Sequence, residues 1–502
     1  MANALFDALF APLAARQDDF LILPDGAGLS GAAFLAMVSR QAHALRAAGL
    51  GVGDRIAVQA AKSPEALASY GAAVALGAIY LPLNTAYTAE EVAYFLDNAT
   101  PRIFLCETAR RAALEPLANR HGARVMTLDA DGGGTLSEAA ADQPTTLTPA
   151  DRGADDLAAL LYTSGTTGRS KGAMLTHGNL LSNAEVLAGL WRFTDRDVLL
   201  HALPIFHTHG LFVASNISLL TGGRMIFLPG FDLDAMIRLL PRATAMMGVP
   251  TFYTRLLDDP RFTGELVRHM RLFISGSAPL LTETHRSFEA RTGHRILERY
   301  GMTETNMNTS NPYEGERRAG TVGLPLPGVK LRIMAEGAEV RPGETGVIEV
   351  HGPNVFKGYW QMPEKTREDL REDGWFITGD VGRADGDGYI TIVGRARDLV
   401  ISGGFNIYPK EVELLLDEQP GVLESAVIGV PHPDFGEAVF AVLVPEKGAT
   451  LDPEATLAAL RDRLARFKLP KAAVVVEALP RNAMGKVQKN LLRNSYRNWF
   501  GA

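Results

Sequence analysis

One stretch of this 502-residue chain combines glycines, hydroxyl side chains and two cations, and it reads Tyr162-Thr163-Ser164-Gly165-Thr166-Thr167-Gly168-Arg169-Ser170-Lys171-Gly172. Glycines let the backbone turn tightly and expose N–H groups, and hydroxyls add further hydrogen-bond donors. A lysine ammonium binds phosphate oxygens as a point charge. The spacing is not that of a Walker A motif. The stretch therefore indicates a different phosphate-binding loop, between an apolar strand and a helix that begins near Gly178.

Short apolar runs alternate with helical patterns over most of the chain. The runs are almost continuously apolar, as expected of parallel strands that are covered on both faces. The alternation predicts layered α/β structure with mainly parallel sheets. The predicted strands are 55–59, 78–83, 102–106, 157–162, 198–202, 224–228, 243–248 and 271–275, and the predicted helices between them include 64–76 and 89–96.

The pattern changes after about residue 320, where 330–334 and 347–351 are predicted to be antiparallel strands. A polar stretch at 394–398 then precedes predicted helices at 409–418, 453–467 and 487–499, the second with Asp452 as N-cap. We therefore predict an α/β protein in three parts. These are a large N-terminal domain of layered sheets and helices (1–394), a short polar boundary stretch (395–398) and a small α+β C-terminal domain (399–502).

Composition limits the class of protein. The chain has 50 Lys and Arg against 57 Asp and Glu, a net charge of −7, and its one cysteine, Cys106, excludes an internal disulfide and a multi-cysteine metal site. Overall acidity disfavours bulk nucleic-acid binding. We see no signal-peptide pattern and no apolar stretch long enough to span a bilayer, so we expect a soluble, cytoplasmic protein without a membrane partner. Residues 461–502 nevertheless carry a net charge of +8, which indicates either a solvated face or a polyanion contact.

The loop resembles the phosphate loop of the adenylate-forming superfamily, which includes acyl-CoA synthetases, adenylation domains and firefly luciferase. Four further motifs resemble those of the superfamily and occur in the same order, so the resemblance covers the whole chain. It implies ATP, Mg²⁺ and coenzyme A, and an acid–thiol ligation that proceeds through an acyl adenylate. The four motifs are Tyr300-Gly301-Met302-Thr303-Glu304, Thr378-Gly379-Asp380, Gly394-Arg395-Ala396-Arg397-Asp398 and Pro480-Arg481-Asn482-Ala483-Met484-Gly485-Lys486.

The resemblance implies roles for single residues. Lys486 would bridge the acyl carboxylate and the nucleotide, Glu304 would hold Mg²⁺, and Thr303 would donate to the α-phosphate. Tyr300 would stack on adenine, with a core aromatic as the alternative, and Asp380 would accept from the ribose hydroxyls. The other implied ATP or AMP contacts are Thr163, Ser164, Gly165, Thr166, Thr167, Gly168, Lys171, Ser277, Ala278, Pro279, Glu298, Arg299, Gly301, Met302 and Arg395.

For thioester formation the resemblance implies that residues 395–398 are a hinge and that the small domain (399–502) is mobile and rotates about Asp398. The rotation would remove Lys486 from the adenylate and bring up a coenzyme A contact formed by Ser402, Gly403, Gly404 and Phe405. His207 would either gate the thiol route or touch the acyl carboxylate. Acetylation of Lys486 would remove the bridging charge, so a lysine acetyltransferase and a deacetylase are possible regulatory partners.

Residues 203–212, 248–256 and 299–308 carry a narrower resemblance to the malonyl-CoA synthetases. It implies malonate as the acid and leaves methylmalonate open. The second carboxylate of malonate must stay paired once it is desolvated. We expect Arg255 to pair with it, with Arg286 in reserve, and His207, Ser277 and Met302 to complete the pocket.

The residues themselves leave three other classes of protein open. One is a short-chain or aryl acyl-CoA synthetase with another acid specificity, which a comparison of acids would separate. Another is a stand-alone adenylation enzyme that loads a carrier protein, for which free coenzyme A would fail as acceptor. The third is a non-catalytic nucleotide-binding or nucleic-acid-binding protein, which would form no acyl adenylate.

Overall fold

The computed structural model describes residues 3–163, 170–402, 405–461, 463–464, 466–482 and 485–501. The chain divides into two compact units. The first unit comprises Met1–Lys330 and His351–Phe376, and the second comprises Leu331–Val350 and Ile377–Ala502. Within the described residues, no helix is both long enough and apolar enough to cross a bilayer.

Two mixed sheets organise the first unit, and each is parallel in its interior. One has the strand order β6-β5-β3-β4-β7-β8, with an antiparallel pair only at β7–β8, and the other has the order β15-β14-β13-β12-β11-β9-β10-β1-β2, with antiparallel pairs at its two edges. This confirms the predicted mainly parallel α/β structure. The strands are β1 (Asp19–Ile22), β2 (Gly28–Ser30), β3 (Arg55–Gln59), β4 (Ile79–Pro82), β5 (Ile103–Cys106), β6 (Arg124–Thr127), β7 (Leu157–Thr163), β8 (Lys171–Thr176), β9 (Val198–His201), β10 (Arg224–Phe227), β11 (Ala245–Gly248), β12 (Leu272–Ser275), β13 (Leu297–Met302), β14 (Asn306–Ser310) and β15 (Leu324–Pro325).

The helices of the first unit begin at recognisable caps. Ser63 caps the third helix in front of Pro64, and capping boxes at Thr88 and Thr176 start the fourth and seventh. A π-helix, His209–Ser215, precedes the eighth. The helices are α1 (Ala4–Leu9), α2 (Gly31–Ala47), α3 (Pro64–Leu76), α4 (Ala89–Ala99), α5 (Thr108–Arg120), α6 (Thr135–Ala140), α7 (His177–Leu190), α8 (Asn216–Thr221), α9 (Leu233–Leu239), α10 (Pro250–Leu257), α11 (Gly264–Val267), α12 (Thr282–Thr292) and α13 (Pro363–Asp369).

Strand β8 lies between the predicted phosphate loop and α7, and the sequence analysis did not foresee it. Thr163 at the end of β7 pairs with Lys171 at the start of β8, and the two strands are antiparallel. On its other side β8 receives hydrogen bonds from a distant segment, for example from the Trp360 N–H to the Gly172 carbonyl oxygen at 2.7 Å. Long-range pairing of this kind leaves no local pattern in the sequence.

The second unit contains two further sheets, with the orders β17-β16-β18-β19-β20 and β22-β21-β24-β23, and β25 pairs parallel with β24. One face of the latter sheet packs on α14, and the other packs on Leu492 of α16. Together with the larger α/β part, this arrangement confirms the predicted fold class. The elements are β16 (Lys330–Ala335), β17 (Ala338–Glu339), β18 (Gly346–His351), β19 (Phe376–Ala384), β20 (Ile390–Arg395), β21 (Val400–Ser402), β22 (Phe405–Ile407), β23 (Val422–His432), β24 (Gly436–Pro445), β25 (Ala472–Val475), α14 (Pro409–Asp417), α15 (Pro453–Ala458) and α16 (Lys489–Tyr496).

Helix α15 corrects the prediction of a helix over 453–467. Its N-cap is Asp452, as predicted, because the carboxylate accepts from the Glu454 and Ala455 N–H groups. The helix ends at Ala458, although the apolar spacing continues through Leu460 and Leu464. Both leucines still lie in the core against α14, so burial accounts for the spacing without a continuing helix.

Candidate active site

Lys171 and Glu304, two predicted nucleotide-site residues that lie far apart in sequence, are joined through one tyrosine. The Lys171 Nζ lies 3.2 Å from the Tyr359 hydroxyl and 3.5 Å from Asp369 Oδ2. The Tyr359 hydroxyl donates to Glu304 Oε1 at 3.0 Å. Burial, and then the charges of Glu304 and Asp369, raise the pKa of Tyr359 above its usual value, so it remains a donor. Sequence reasoning missed Tyr359 and Asp369, because neither belongs to the glycine-rich motif.

Glu304 fits a magnesium ion that a nucleotide carries into the site. Its side chain is buried, and the Phe356 N–H fixes its backbone by donating to its carbonyl oxygen at 2.8 Å. Magnesium in nucleotide sites takes one or two carboxylates together with phosphate oxygens and water. The described residues contain no group of three His, Cys, Asp or Glu side chains that could hold a metal alone. A single buried carboxylate beside a predicted phosphate-binding lysine matches this donor set.

The turn after β12 has an unusual backbone. Ser277 has a φ of 72°, a left-handed conformation that non-glycine residues rarely adopt. Such conformations persist where the surrounding structure enforces them, and they cluster at ligand sites. Behind the turn, the Leu280 N–H donates to Glu298 Oε1 at 3.3 Å. The turn and the end of β13 therefore present predicted ligand residues at one edge of the sheet, where β12 and β13 pair in parallel.

Arg299 is a buried cation next to this turn. It is 3% exposed, and neither its Nε nor its Nη2 has a hydrogen-bond partner among the described residues. Burial lowers its pKa to about 9. The guanidinium lies over Gly276, since a Cβ placed there would be 2.3 Å from the Arg299 Cζ. Two N–H groups on one edge of a guanidinium are the donors that a carboxylate can accept from in a bidentate pair.

Two histidines lie beside Arg299 and Ser277. The His209 Nδ1 is 3.2 Å from the Ser277 hydroxyl, and the His209 N–H donates to His207 Nδ1 at 3.3 Å. Burial, and then the charge of Arg299, hold the pKa of His209 well below its usual value, so this imidazole stays neutral. His209 thus contacts two predicted site residues, His207 and Ser277, and the charge of a third, Arg299, acts on the same imidazole.

Lys62 is a buried cation that sequence reasoning did not single out. Its Nζ donates to His201 Nδ1 (2.9 Å) and to the carbonyl oxygens of His201 (2.8 Å) and Leu203 (2.9 Å). Burial lowers the pKa of Lys62 well below its usual value. Lys62 therefore ties the end of β9 to the segment between β3 and α3.

His201 carries this contact on to the π-helix. Its Nε2 lies 2.9 Å from the Gly210 carbonyl oxygen, and a carbonyl only accepts, so Nε2 carries the proton and Nδ1 accepts from Lys62. π-helical turns are rare and are frequent at functional sites. The Lys62–His201 contact thereby fixes the backbone that carries His207 and His209.

The two arginines proposed for malonate lie in a different environment. Arg255 is on α10 and is exposed, and its guanidinium carbon lies 5.3 Å from the centroid of the Phe231 ring. Arg286 is also exposed, on α12. The structure therefore does not bury either of them, whereas it buries Arg299. Met302 is half-buried at the end of β13.

In the second unit the predicted ribose residues form a pair. Asp380 on β19 and Arg395 on β20 are Cα partners in an antiparallel register, and the Arg395 Nε lies 2.8 Å from Asp380 Oδ1. Asp380 is buried, and its N–H donates to the Thr378 hydroxyl at 3.0 Å. The carboxylate is thus held by the strand pair that carries it.

The remaining predicted residues of the second unit lie on turns and element ends. Half-buried Lys486 donates its N–H to Asn482 Oδ1 at 2.9 Å, and Asp398 pairs with Arg493 at 2.8 Å. Ser402 ends β21 and is buried. Gly403 and Gly404 lie outside the described residues, and Phe405 begins β22.

In the first unit, Thr163 ends β7, and the predicted loop residues Ser164, Gly165, Thr166, Thr167 and Gly168 lie outside the described residues. The other predicted nucleotide residues follow β12 or lie on β13 and just beyond it. Ala278, Tyr300, Gly301 and Thr303 are half-buried, and Pro279 is exposed.

Two family profiles match the chain: AMP-binding enzyme over residues 11–360, and AMP-binding enzyme C-terminal domain over residues 411–486. Among curated relatives, the chain is 36% identical to a malonate–CoA ligase of Arabidopsis thaliana (89% of this chain, 78% of that protein). It is 39% identical to a feruloyl-CoA synthase of Amycolatopsis sp (94% of each). Among solved structures, ATP-bound MatB from Rhodopseudomonas palustris is 57% identical, with a TM-score of 0.97 over the full length of both chains.

These comparisons confirm the predicted resemblance and the predicted enzyme class, an AMP-forming acyl-CoA ligase that binds ATP. The chain belongs to the AMP-binding enzyme family.

Proposed function

We propose that this enzyme ligates malonate, with methylmalonate as a possible second acid, to coenzyme A through malonyl-AMP, releasing pyrophosphate and then AMP. Two relatives named as malonate–CoA ligases support the proposal, one from Arabidopsis thaliana and one from Mus musculus, the latter 35% identical over 459 residues. The observation that carries the proposal is the buried guanidinium of Arg299 beside Ser277 and His209.

Malonate differs from most short acids in its second carboxylate, which stays ionised while the first one reacts. An isolated buried carboxylate is costly, and a buried pair is tolerated only when hydrogen bonds satisfy both partners. The Nε and Nη2 of Arg299 lie on one edge of the guanidinium and suit a bidentate carboxylate. A monocarboxylate of the same length would leave these groups unpaired.

The first half-reaction brings two anions together. At 4 Å and an effective dielectric near 20, a unit-charge pair repels by about 4 kcal/mol, so cations must be concentrated there. Lys171 and the phosphate loop 163–168 would hold the phosphates, Thr303 would donate to the α-phosphate, and Lys486 would bridge it to the acyl carboxylate. Magnesium, held by Glu304 and the phosphates, supplies further neutralisation of phosphate charge when it is bound.

The second half-reaction needs coenzyme A at the adenylate. We assign the coenzyme A contact to residues 402–405. The hinge would be Asp398 within 395–398, and the domain that moves would be 399–502. His207 would lie at the thiol route or contact the acyl carboxylate. The ribose contacts would be Asp380 and Arg395, with Tyr300 on adenine. Acetylation of Lys486 would block adenylation.

We also propose a cytoplasmic location, which agrees with the buried, unpaired thiol of Cys106.

An aryl acid is the second candidate substrate, because the feruloyl-CoA synthase relative is 39% identical over 94% of the chain. The deciding experiment is a pyrophosphate-release assay with malonate, methylmalonate, acetate, succinate, benzoate and ferulate. We expect the highest kcat/KM for malonate or methylmalonate. A preference for ferulate or benzoate would overturn the proposed acid and leave the enzyme class intact.

A further inference from the structure

We propose that two ion pairs, Glu413–Lys489 and Glu424–Arg481, are positioning pairs that hold the Lys486 segment for acyl-adenylate formation. The inference rests on the proposed function, because it takes Lys486 to act in adenylation only. All five residues lie in the second unit.

The backbone around Lys486 is closed by local hydrogen bonds. The Asn482 side chain accepts from the Lys486 N–H, and the Asn482 N–H donates to the Lys486 carbonyl oxygen, both at 2.9 Å. Gly485 donates to the Asn482 carbonyl oxygen at 2.9 Å and has a φ of 74°, which suits glycine. The base of the turn is an antiparallel bridge between Arg481 and Val487. These bonds join residues 481 and 482 to residues 485–487, and both ends of each bond lie within this segment.

One ion pair attaches the turn at each end. At the start, Arg481 pairs with Glu424 of β23 and also donates its Nη1 to the Gly485 carbonyl oxygen at 2.5 Å. At the end, the Lys489 Nζ lies 2.5 Å from Glu413 Oε1. Lys486, which has the proposed catalytic role, therefore lies in the sequence between Arg481 and Lys489, and an ion pair holds each of these two cations.

Glu413 is built into the unit more deeply than a surface partner would be. Its side chain is 7% exposed and lies on α14, and its Oε1 also accepts from the Val427 N–H of β23 at 2.9 Å. Lys410, at 3.8 Å, is a second cation near it. A buried carboxylate is costly unless it is paired and hydrogen-bonded, so Glu413 fixes Lys489 in one place relative to both the helix and the sheet.

Position matters here because the lysine side chain is long and its target is small. A misplacement of about 1 Å by a change outside the reacting groups can cost about 100-fold in rate. Loss of either ion pair should therefore slow the step that uses Lys486 and spare the step that does not.

The test measures the two half-reactions separately in the full-length enzyme. Adenylation is followed as malonate-dependent exchange of ATP and pyrophosphate, and thioester formation as consumption of synthetic malonyl-AMP by coenzyme A. We expect Lys489→Met and Glu413→Gln to lower exchange at least tenfold and to change thioester formation less than threefold. Lys489→Arg should restore exchange to within about fivefold of the wild type.

Lys468→Met is the matched control. Lys468 pairs at 2.6 Å with Glu411, which lies on α14 as Glu413 does. Because Lys468 lies outside the Lys486 segment, both half-reactions should persist. An equal loss in both half-reactions of Lys489→Met, or exchange no lower than in the control, would overturn the inference.

Two further measurements distinguish a failure of this inference from a failure of the proposed function. If the wild type exchanges with another acid and not with malonate, the proposed substrate is wrong, and the comparison is made with that acid. If Lys486→Ala retains exchange, the inference is wrong whatever the acid.

Discussion

The Arg299 guanidinium lies directly over the backbone of Gly276, where a Cβ would be 2.3 Å from its Cζ. The absence of a side chain at residue 276 is therefore what lets a buried arginine reach the turn that carries Ser277. This packing links the turn after β12 to β13, and it leaves the Nε and Nη2 of Arg299 without partners among the described residues.

Gly276→Ala should displace this guanidinium. Because a charge-assisted hydrogen bond contributes about 1.5–3 kcal/mol, we expect kcat/KM for malonate to fall about 10- to 100-fold while KM for ATP changes little. Gly189→Ala is the control, since a Cβ at that helical position meets nothing within 4 Å. Unchanged malonate kinetics in Gly276→Ala would show that the packing of Arg299 over Gly276 has no role in the use of malonate.

The two candidate cations can be separated by substitution. Arg299→Met should abolish the preference for malonate over acetate, because the second carboxylate loses its buried partner. Arg255→Met should lower kcat/KM for malonate less, because Arg255 is exposed. Steady-state kinetics with both acids check this, and the opposite order of effects would restore Arg255 as the anchor.

Lys62→Met should destabilise the first unit by roughly 2–4 kcal/mol, because three buried acceptors lose their donor. It should also raise KM for malonate, since the segment that carries His207 loses its support. Urea unfolding and steady-state kinetics measure the two effects. Lys357→Met, which removes one exposed hydrogen bond to Asp155, is expected to be neutral in both.

Stability should fall as the pH is lowered from about 6.5 to about 4, and His177 should contribute to the fall. Burial depresses the pKa of His177 from 6.5 to about 4, so the unfolded chain binds a proton that the folded chain does not. The contribution of His177 to the unfolding free energy is full above pH 6.5 and is lost as the pH falls towards 4. The difference of 2.5 between its two pKa values corresponds to about 3 kcal/mol. His177→Gln should flatten the dependence of the unfolding free energy on pH. An identical slope in wild type and His177→Gln would contradict this.

Parts of the site were predictable from local sequence. The register of β19 and β20 makes Asp380 and Arg395 Cα partners, and both lie in motifs that the sequence analysis quoted. The start of α15 at Pro453 followed from its Asp452 cap, because a cap acts within three residues. Interior strands such as β3 and β11 followed from short apolar runs, because they are covered on both faces, whereas β8 did not.

Other parts depend on contacts between distant segments. Tyr359 meets Lys171 across 188 positions, and Lys62 meets His201 across 139, and neither Tyr359 nor Lys62 belongs to a motif. The sequence analysis proposed Arg255 as the partner of the second carboxylate and did not foresee that Gly276 makes room for Arg299. Burial of a charged residue depends on what packs around it, which one sequence does not show.

The most direct test of the central claim is the stoichiometry of the reaction with ATP, malonate and coenzyme A, measured by chromatography and mass spectrometry. The account predicts one AMP and one pyrophosphate for each malonyl-CoA, and malonyl-AMP when coenzyme A is omitted. Formation of ADP and phosphate, or release of pyrophosphate that does not depend on malonate, would contradict it.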